Sequence, residues 1–211
     1  MDKLRIYDVF WESHTAGPSP DNNTRTEVFL AGCKMAAEGN PCKGCFNPSL
    51  WNGNRFIAEC TPDEAFENIE KYARNEYITF VGGEPLDQIK PLLALCRKLK
   101  KAGYHIIIFT HYLMKEIMEM EWGRNLLCNV DVVVDGKFEM DKKIYDDINY
   151  DDGFHNAIGS GNQVVWDMTR EIGIPASDLK GINVPLDHVG INFLTIDNPD
   201  VKEVDLIACG I

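Results

Sequence analysis

The chain has 211 residues, 45% of them hydrophobic, and a formal net charge of −12. That length can bury a core without covalent staples, and the acidic balance excludes a nucleic-acid surface, which needs clustered Lys and Arg to displace counterions from phosphates. The apolar runs fall far short of the roughly 20 residues that cross a bilayer, and residues 1–5 lack the apolar core of a secretory signal, so a cytoplasmic protein with no membrane or nucleic-acid partner is expected, its seven cysteines reduced.

In chain order, 26–31 is the first apolar strand, and it leads into a loop that holds Cys33, Cys42 and Cys45. Thr61-Pro62-Asp63-Glu64 then opens a helix with a capping residue, proline at the first position and an acid three residues after the cap. Helical spacing puts Ala65, Phe66, Ile69 and Tyr72 on its buried face. A second strand, 77–81, exits through Gly82-Gly83-Glu84-Pro85. Leu92, Leu93, Cys96 and Leu99 mark a second amphipathic helix, which Gly103 ends, and 104–110 and 130–134 are two further strands. Strands alternating with helices predict an α/β fold, a parallel sheet joined by crossover helices. Acidic residues crowd 141–152, as on a solvated loop or helix face. Beyond Asp135 the regularity fades, and 171–211 reads as a loop-rich C-terminal tail with one apolar segment, 189–196.

Ligands of parallel α/β sheets collect at the carboxyl ends of the strands, so the cysteine loop and the Gly-Gly-Glu loop fall on one rim. Cys42 and Cys45, with two residues between them, can share a metal centre. Cys33 makes a trio, where structural zinc wants four ligands, and a trio leaves one iron of a cubane open to a small molecule. Taken alone, Cys42-Lys43-Gly44-Cys45 also fits a zinc knuckle or a redox pair, and Gly-Gly-Glu-Pro fits a plain strand-exit turn. Cys60, Cys96, Cys128 and Cys209 lack ligand spacing and are expected to be buried or incidental thiols. Thr110 and His111 end a strand on the same rim, where capping or solvent contact is expected ahead of a ligand contact.

The run Thr24-Arg25-Thr26-Glu27-Val28-Phe29-Leu30-Ala31-Gly32-Cys33, followed by Cys42-Lys43-Gly44-Cys45-Phe46-Asn47-Pro48 and Trp51-Asn52, resembles the radical S-adenosylmethionine (SAM) enzymes. Within them it is similar to the glycyl-radical activases of anaerobic ribonucleotide reductase. Val81-Gly82-Gly83-Glu84-Pro85-Leu86 resembles a second motif of that family, and Val132-Val133-Val134-Asp135-Gly136 with Gly159-Ser160-Gly161-Asn162-Gln163 resembles a late one. The resemblance covers about residues 5–168. It implies a single radical SAM domain over 1–211, folded as an incomplete parallel β/α barrel. It implies a 4Fe-4S cluster on Cys33, Cys42 and Cys45, with SAM on the open iron. Gly82 and Gly83 would admit the methionine end, Glu84 would accept from its amino group, and Gly44 and Phe46 would lie beside the adenine. No catalytic side chain is implied beyond cluster and cofactor. The implied reaction is reductive cleavage of SAM and hydrogen abstraction from a glycine of the large subunit of anaerobic ribonucleotide reductase, with an electron donor such as flavodoxin.

Two other functions stay open. One is a radical SAM enzyme acting on a small molecule, such as a deazaguanine-forming synthase; Phe46-Asn47-Pro48 after Cys45 favours the activase, because the synthase motif usually continues Asp-Thr. The other is a non-enzymatic zinc or iron–sulfur binding module. The chain also departs from the family pattern. Eight residues separate Cys33 from Cys42, more than is usual, and Gly161 and Val164 stand where serine and arginine are commoner. By the logarithmic closure rule the longer span costs only a fraction of a kcal/mol, so the ligand set is expected to survive it, with 35–39 covering the cluster or meeting the partner.

Overall fold

A computed structural model describes residues 2–14, 17, 24–144, 159–179 and 200–204. The apolar segment 189–196 and most of the acidic run lie outside those residues. Among the described residues nine strands form one sheet, in the order β3-β1-β2-β4-β5-β6-β7-β8-β9. At its centre β2 (Arg25–Leu30), β4 (Tyr77–Gly82), β5 (His105–Phe109) and β6 (Val132–Asp135) run parallel. Their register aligns Val28, Phe80, Ile108 and Val133 in one row. The predicted parallel sheet is therefore this four-strand centre, and both flanks are antiparallel. On one side lie β1 (Leu4–Ser13) and β3 (Ala58–Cys60). On the other lie β7 (Val164–Asp167), β8 (Ile172–Pro175) and β9 (Lys202–Glu203), so the described parts of 171–211 extend the sheet.

Helices occupy the crossovers, and two of them, over 62–72 and 89–101, fall where the sequence predicts. α1 (Lys34–Ala37) is a single turn inside the cysteine loop. α2 (Pro62–Tyr72) opens on a complete capping box, in which Thr61 accepts the Glu64 N–H and the Glu64 carboxylate accepts the Thr61 N–H. α3 (Ile89–Lys101) is followed by Gly103 at φ 91°, a left-handed geometry that ends the helix. α4 (Met114–Glu119) and α5 (Gly123–Leu127) link β5 to β6. Ala65 and Ile69 are buried as expected, but Tyr72 is half exposed and packs on Trp11 with 5.4 Å between ring centroids. No described helix is long and apolar enough to cross a membrane.

Strand alternation gives the sheet two different faces. Val28, Phe80, Ile108 and Val133 meet Ile69, Leu92, Leu99, Ile117 and Leu126 from the helices in one continuous core. Cys96 is fully buried there, which matches its expected role, and burial pushes its thiol up. The opposite face is divided. From β5 to β8 it is filled by Ile107, Val132, Val134, Val165 and Ile174. Toward β1, β2 and β4 it stays open as a cavity lined by Glu27, Phe29 and Val81. One sequence expectation fails in this region of the fold, because Cys128, after α5, is disulfide-bonded rather than a free thiol.

Candidate metal centre and cofactor cavity

The cavity has a volume of about 660 Å³ and opens at the carboxyl ends of the parallel strands. Cys33, Cys42, Cys45, Phe46, Gly82, Gly83 and Glu84 all line it. Gly44 is absent from the lining; at φ 77° it packs on the Met140 side chain, which a Cβ would meet at 2.5 Å. Phe46 lies against Phe138, with 4.5 Å between ring centroids.

Local hydrogen bonding explains how the cysteines are carried to the rim. β2 ends at Leu30, and Cys33 caps the single-turn helix α1. Asp87 holds the start of that helix, its carboxylate accepting the Lys34 N–H at 2.6 Å and the Tyr112 hydroxyl at 3.0 Å. The long Cys33–Cys42 span is thus partly a pinned helical turn, and Ala36 from it lines the cavity. The Cys42–Cys45 segment is held by the chain after β6. The Lys43 backbone forms an isolated parallel β-bridge with Glu139, its carbonyl accepts the Met140 N–H at 3.0 Å, and its ammonium pairs with Asp141. The late motif fixes that partner segment in turn. Gln163 donates to the Gly136 carbonyl at 2.7 Å and accepts the Ser160 N–H at 2.8 Å, while Asn162 donates to the Lys137 carbonyl at 2.7 Å.

Gly82 and Gly83 answer first to the protein's own backbone. Gly83 N–H donates to the Leu30 carbonyl and Glu84 N–H to the Gly32 carbonyl, both at 2.8 Å. A Cβ on Gly82, at φ 129°, would lie 2.3 Å from the Leu30 carbonyl oxygen, and one on Gly83 would lie 2.1 Å from that of Gly32. The exits of β2 and β4 are therefore welded at a contact only glycine permits.

Glu84 is buried to 1% exposure and joins the exits of β4 and β5. One carboxylate oxygen accepts from Leu86 N–H at 2.9 Å and the Thr110 hydroxyl at 2.8 Å. The other accepts from His111 N–H at 2.8 Å and lies 2.6 Å from His111 Nδ1. These contacts occupy the roughly four acceptor positions of a carboxylate. Burial opposes charge on His111, but hydrogen bonds to Cys33 and Glu84 outweigh it and raise its pKa to about 10.

The thiols fit a cluster by a further observation: each has an N–H partner. The Trp51 indole donates to Cys45 Sγ at 3.3 Å, the Phe138 backbone N–H faces Cys42, and the His111 ring faces Cys33. Such donors suit sulfur that carries negative charge. Among the described residues no three His, Cys, Asp or Glu side chains close around a single metal ion, whereas a cubane takes its three thiolates on three separate irons. Glu27 and Trp51 also line the cavity, and no spacing rule singles them out in the sequence.

The 4Fe-4S single cluster domain family matches residues 21–165. The chain is 28% identical over 157 residues to the anaerobic ribonucleoside-triphosphate reductase-activating protein of Pasteurella multocida, covering 70% of this chain and 89% of that one. It is 26% identical over 189 residues to the pyruvate formate-lyase-activating enzyme of Clostridium pasteurianum, covering 85% and 67%. A shorter stretch of 83 residues is 30% identical to the 7-carboxy-7-deazaguanine synthase of Koribacter versatilis, covering 39% and 33%.

Proposed function

Since the chain belongs to the 4Fe-4S single cluster domain family, we propose that it is a radical SAM activase that generates a glycyl radical on the large subunit of an anaerobic ribonucleotide reductase. One observation carries this. The three cysteines of one loop and the Gly82-Gly83-Glu84 exit line a single cavity at the carboxyl ends of the parallel strands. The choice of a protein substrate is supported by the match that spans 89% of a reductase-activating protein, against 33% of the synthase. In this proposal the whole of 1–211 acts as one domain, with the sheet as an incomplete barrel and the cavity as its lumen.

Cys33, Cys42 and Cys45 hold the 4Fe-4S cluster, and the cavity beside them takes SAM. When bound, the cluster supplies the electron that cleaves SAM reductively, the electron coming from a carrier such as flavodoxin. The protein's own part is to orient and to exclude water. Phe29, Val81 and Phe109 give the cavity apolar walls. Phe46, braced by Phe138, offers an exposed ring at the mouth for the adenine, and Gly44 shapes the loop behind it. Gly82 and Gly83 keep the methionine end of the site free of side chains. Because its acceptor positions are filled, Glu84 meets the SAM ammonium only by giving up one of its present donors, and it serves chiefly to brace the rim.

Anaerobically reconstituted protein, reduced and given SAM and the large subunit of its cognate anaerobic ribonucleotide reductase, should form 5′-deoxyadenosine and a doublet in electron paramagnetic resonance. The doublet should collapse when the target glycine is α-deuterated. Cleavage of SAM without any doublet, accompanied by consumption of a purine-like small molecule, would establish the synthase instead.

A further inference from the structure

We propose that Trp51 tunes the reduction potential of the cluster through Cys45, an inference that rests on the cluster assignment above. Trp51 lies six residues beyond Cys45, and its indole Nε1–H reaches back to that sulfur at 3.3 Å. Its backbone serves a second ligand, because its carbonyl accepts the Cys33 N–H, also at 3.3 Å. The residue before it repeats the pattern, with the Leu50 carbonyl accepting the Gly32 N–H at 2.7 Å. The 3-10 turn Pro48–Leu50 that delivers Trp51 is thus tied to the exit of β2, and one residue fastens two of the three candidate ligands.

An indole N–H is a donor only and does not titrate, so the contact with Cys45 holds across the working pH range. The other two sulfur contacts are of different kinds. That to Cys42 comes from backbone, and His111 also braces Glu84, so its replacement would disturb the rim. Trp51 is the donor that can be removed with least other damage.

The direction of the effect follows from charge. One-electron reduction makes the cluster more negative, and part of that charge falls on the thiolate sulfurs. A hydrogen bond to sulfur stabilises the more negative state more than the oxidised one and so raises the potential. The partly buried cavity wall strengthens the contact relative to water.

The experiment compares wild type with Trp51→Phe and with a protein carrying benzothienylalanine at position 51, which keeps the bicyclic shape but has no N–H. Each is reconstituted anaerobically, its iron and visible spectrum are measured, and the cluster is titrated without SAM under electron paramagnetic resonance. Both variants should hold as much iron as wild type. At a fixed poise their reduced-to-oxidised ratio should fall about tenfold, equivalent to a midpoint about 59 mV lower for one electron. A variant with full iron and an unchanged midpoint overturns the tuning role. So does failure of both variants to assemble a cluster that wild type assembles, since Trp51 would then be a structural support. Absence of an iron–sulfur spectrum in wild type overturns the cluster assignment itself.

Discussion

Arg25 and Glu84 are both charged, both almost fully buried, and both stand at ends of the same parallel strands, yet their surroundings differ. At the amino end, Arg25 Nε donates to Thr79 Oγ1 at 2.8 Å, and Nη2 donates to the carbonyls of Ile78 at 2.6 Å and His105 at 3.1 Å. Burial lowers the Arg25 pKa to about 9, which still leaves it charged at neutral pH, and burial together with Arg25 holds His105 well below its ordinary value and so neutral. Arg25 borders no part of the large cavity, whereas Glu84 lines it. At the carboxyl end, Glu84 is as fully bonded as Arg25, but its partner His111 also meets a cysteine. Burial and charge are therefore common to both ends. What sets the carboxyl end apart is space, together with the three cysteines that line it.

The sharpest break in that comparison is chemical. Cys33→Ala, Cys42→Ala and Cys45→Ala should each reduce reconstituted iron to background, while Cys60→Ala and Cys96→Ala keep the wild-type amount per folded chain. Full iron in Cys33→Ala would remove it from the ligand set. Next in size is Gly83→Val. Its Cβ meets the Gly32 carbonyl at 2.1 Å and the Leu50 carbonyl at 2.9 Å, both backbone atoms held by their own hydrogen bonds. The weld between β2 and β4 should open at a cost of about 3 kcal/mol or more. Iron retention should fall with it, because Gly32 directly precedes Cys33. A urea midpoint within error of wild type would show that the rim is more plastic than its hydrogen bonds imply.

At the amino end the expected outcome is reversed. Arg25→Met withdraws the donor from the Ile78 and His105 carbonyls and should cost about 2 kcal/mol in urea unfolding. The chains that remain folded should still take up full iron. Loss of iron in step with Arg25 would mean that the two ends are mechanically coupled and not merely connected by the same strands.

How much of this was legible in the sequence follows the same division. β5 and β6 declare themselves as apolar runs because both of their faces are covered, and the α2 capping box is readable residue by residue. The antiparallel flanks are harder. β1 mixes Arg5, Asp8 and Glu12 with its apolar residues, and β3 and β9 span only three and two residues. In the site, cysteine spacing and the Gly-Gly-Glu exit select residues that do share one cavity. The partners of Glu84 do not show, because Thr110 and His111 lie 26 and 27 residues away and only sheet register brings them in. In the sequence, glycine at 83 reads as room for a ligand, and the structure adds a second demand, because a Cβ there would also meet the backbone of Gly32 and Leu50. Trp51 was visible as part of a motif, but a hydrogen bond from an indole to a sulfur has no spacing rule by which to find it.

Glu27 lies between the two ends and gives the smallest and most discriminating test. It follows Arg25 by two residues on the same face of β2, yet it lines the cavity, with 8% exposure. Burial raises its pKa, partly offset by the Ser13 hydroxyl, which donates to the carboxylate at 2.8 Å. A carboxyl whose pKa is raised on folding binds its proton more tightly in the folded state. Its favourable contribution is complete below the unfolded value of about 4.3 and is lost as pH rises through the folded value. Glu27→Gln keeps an acceptor for Ser13 and removes the charge. It should match wild type at low pH and exceed it by about 1 kcal/mol above that window. Melting curves of the two proteins from about pH 4 to about pH 8 should therefore diverge with rising pH. If they run parallel, the carboxylate is solvated from the cavity side, and Glu27 belongs with the open rim and not with the closed floor beneath it.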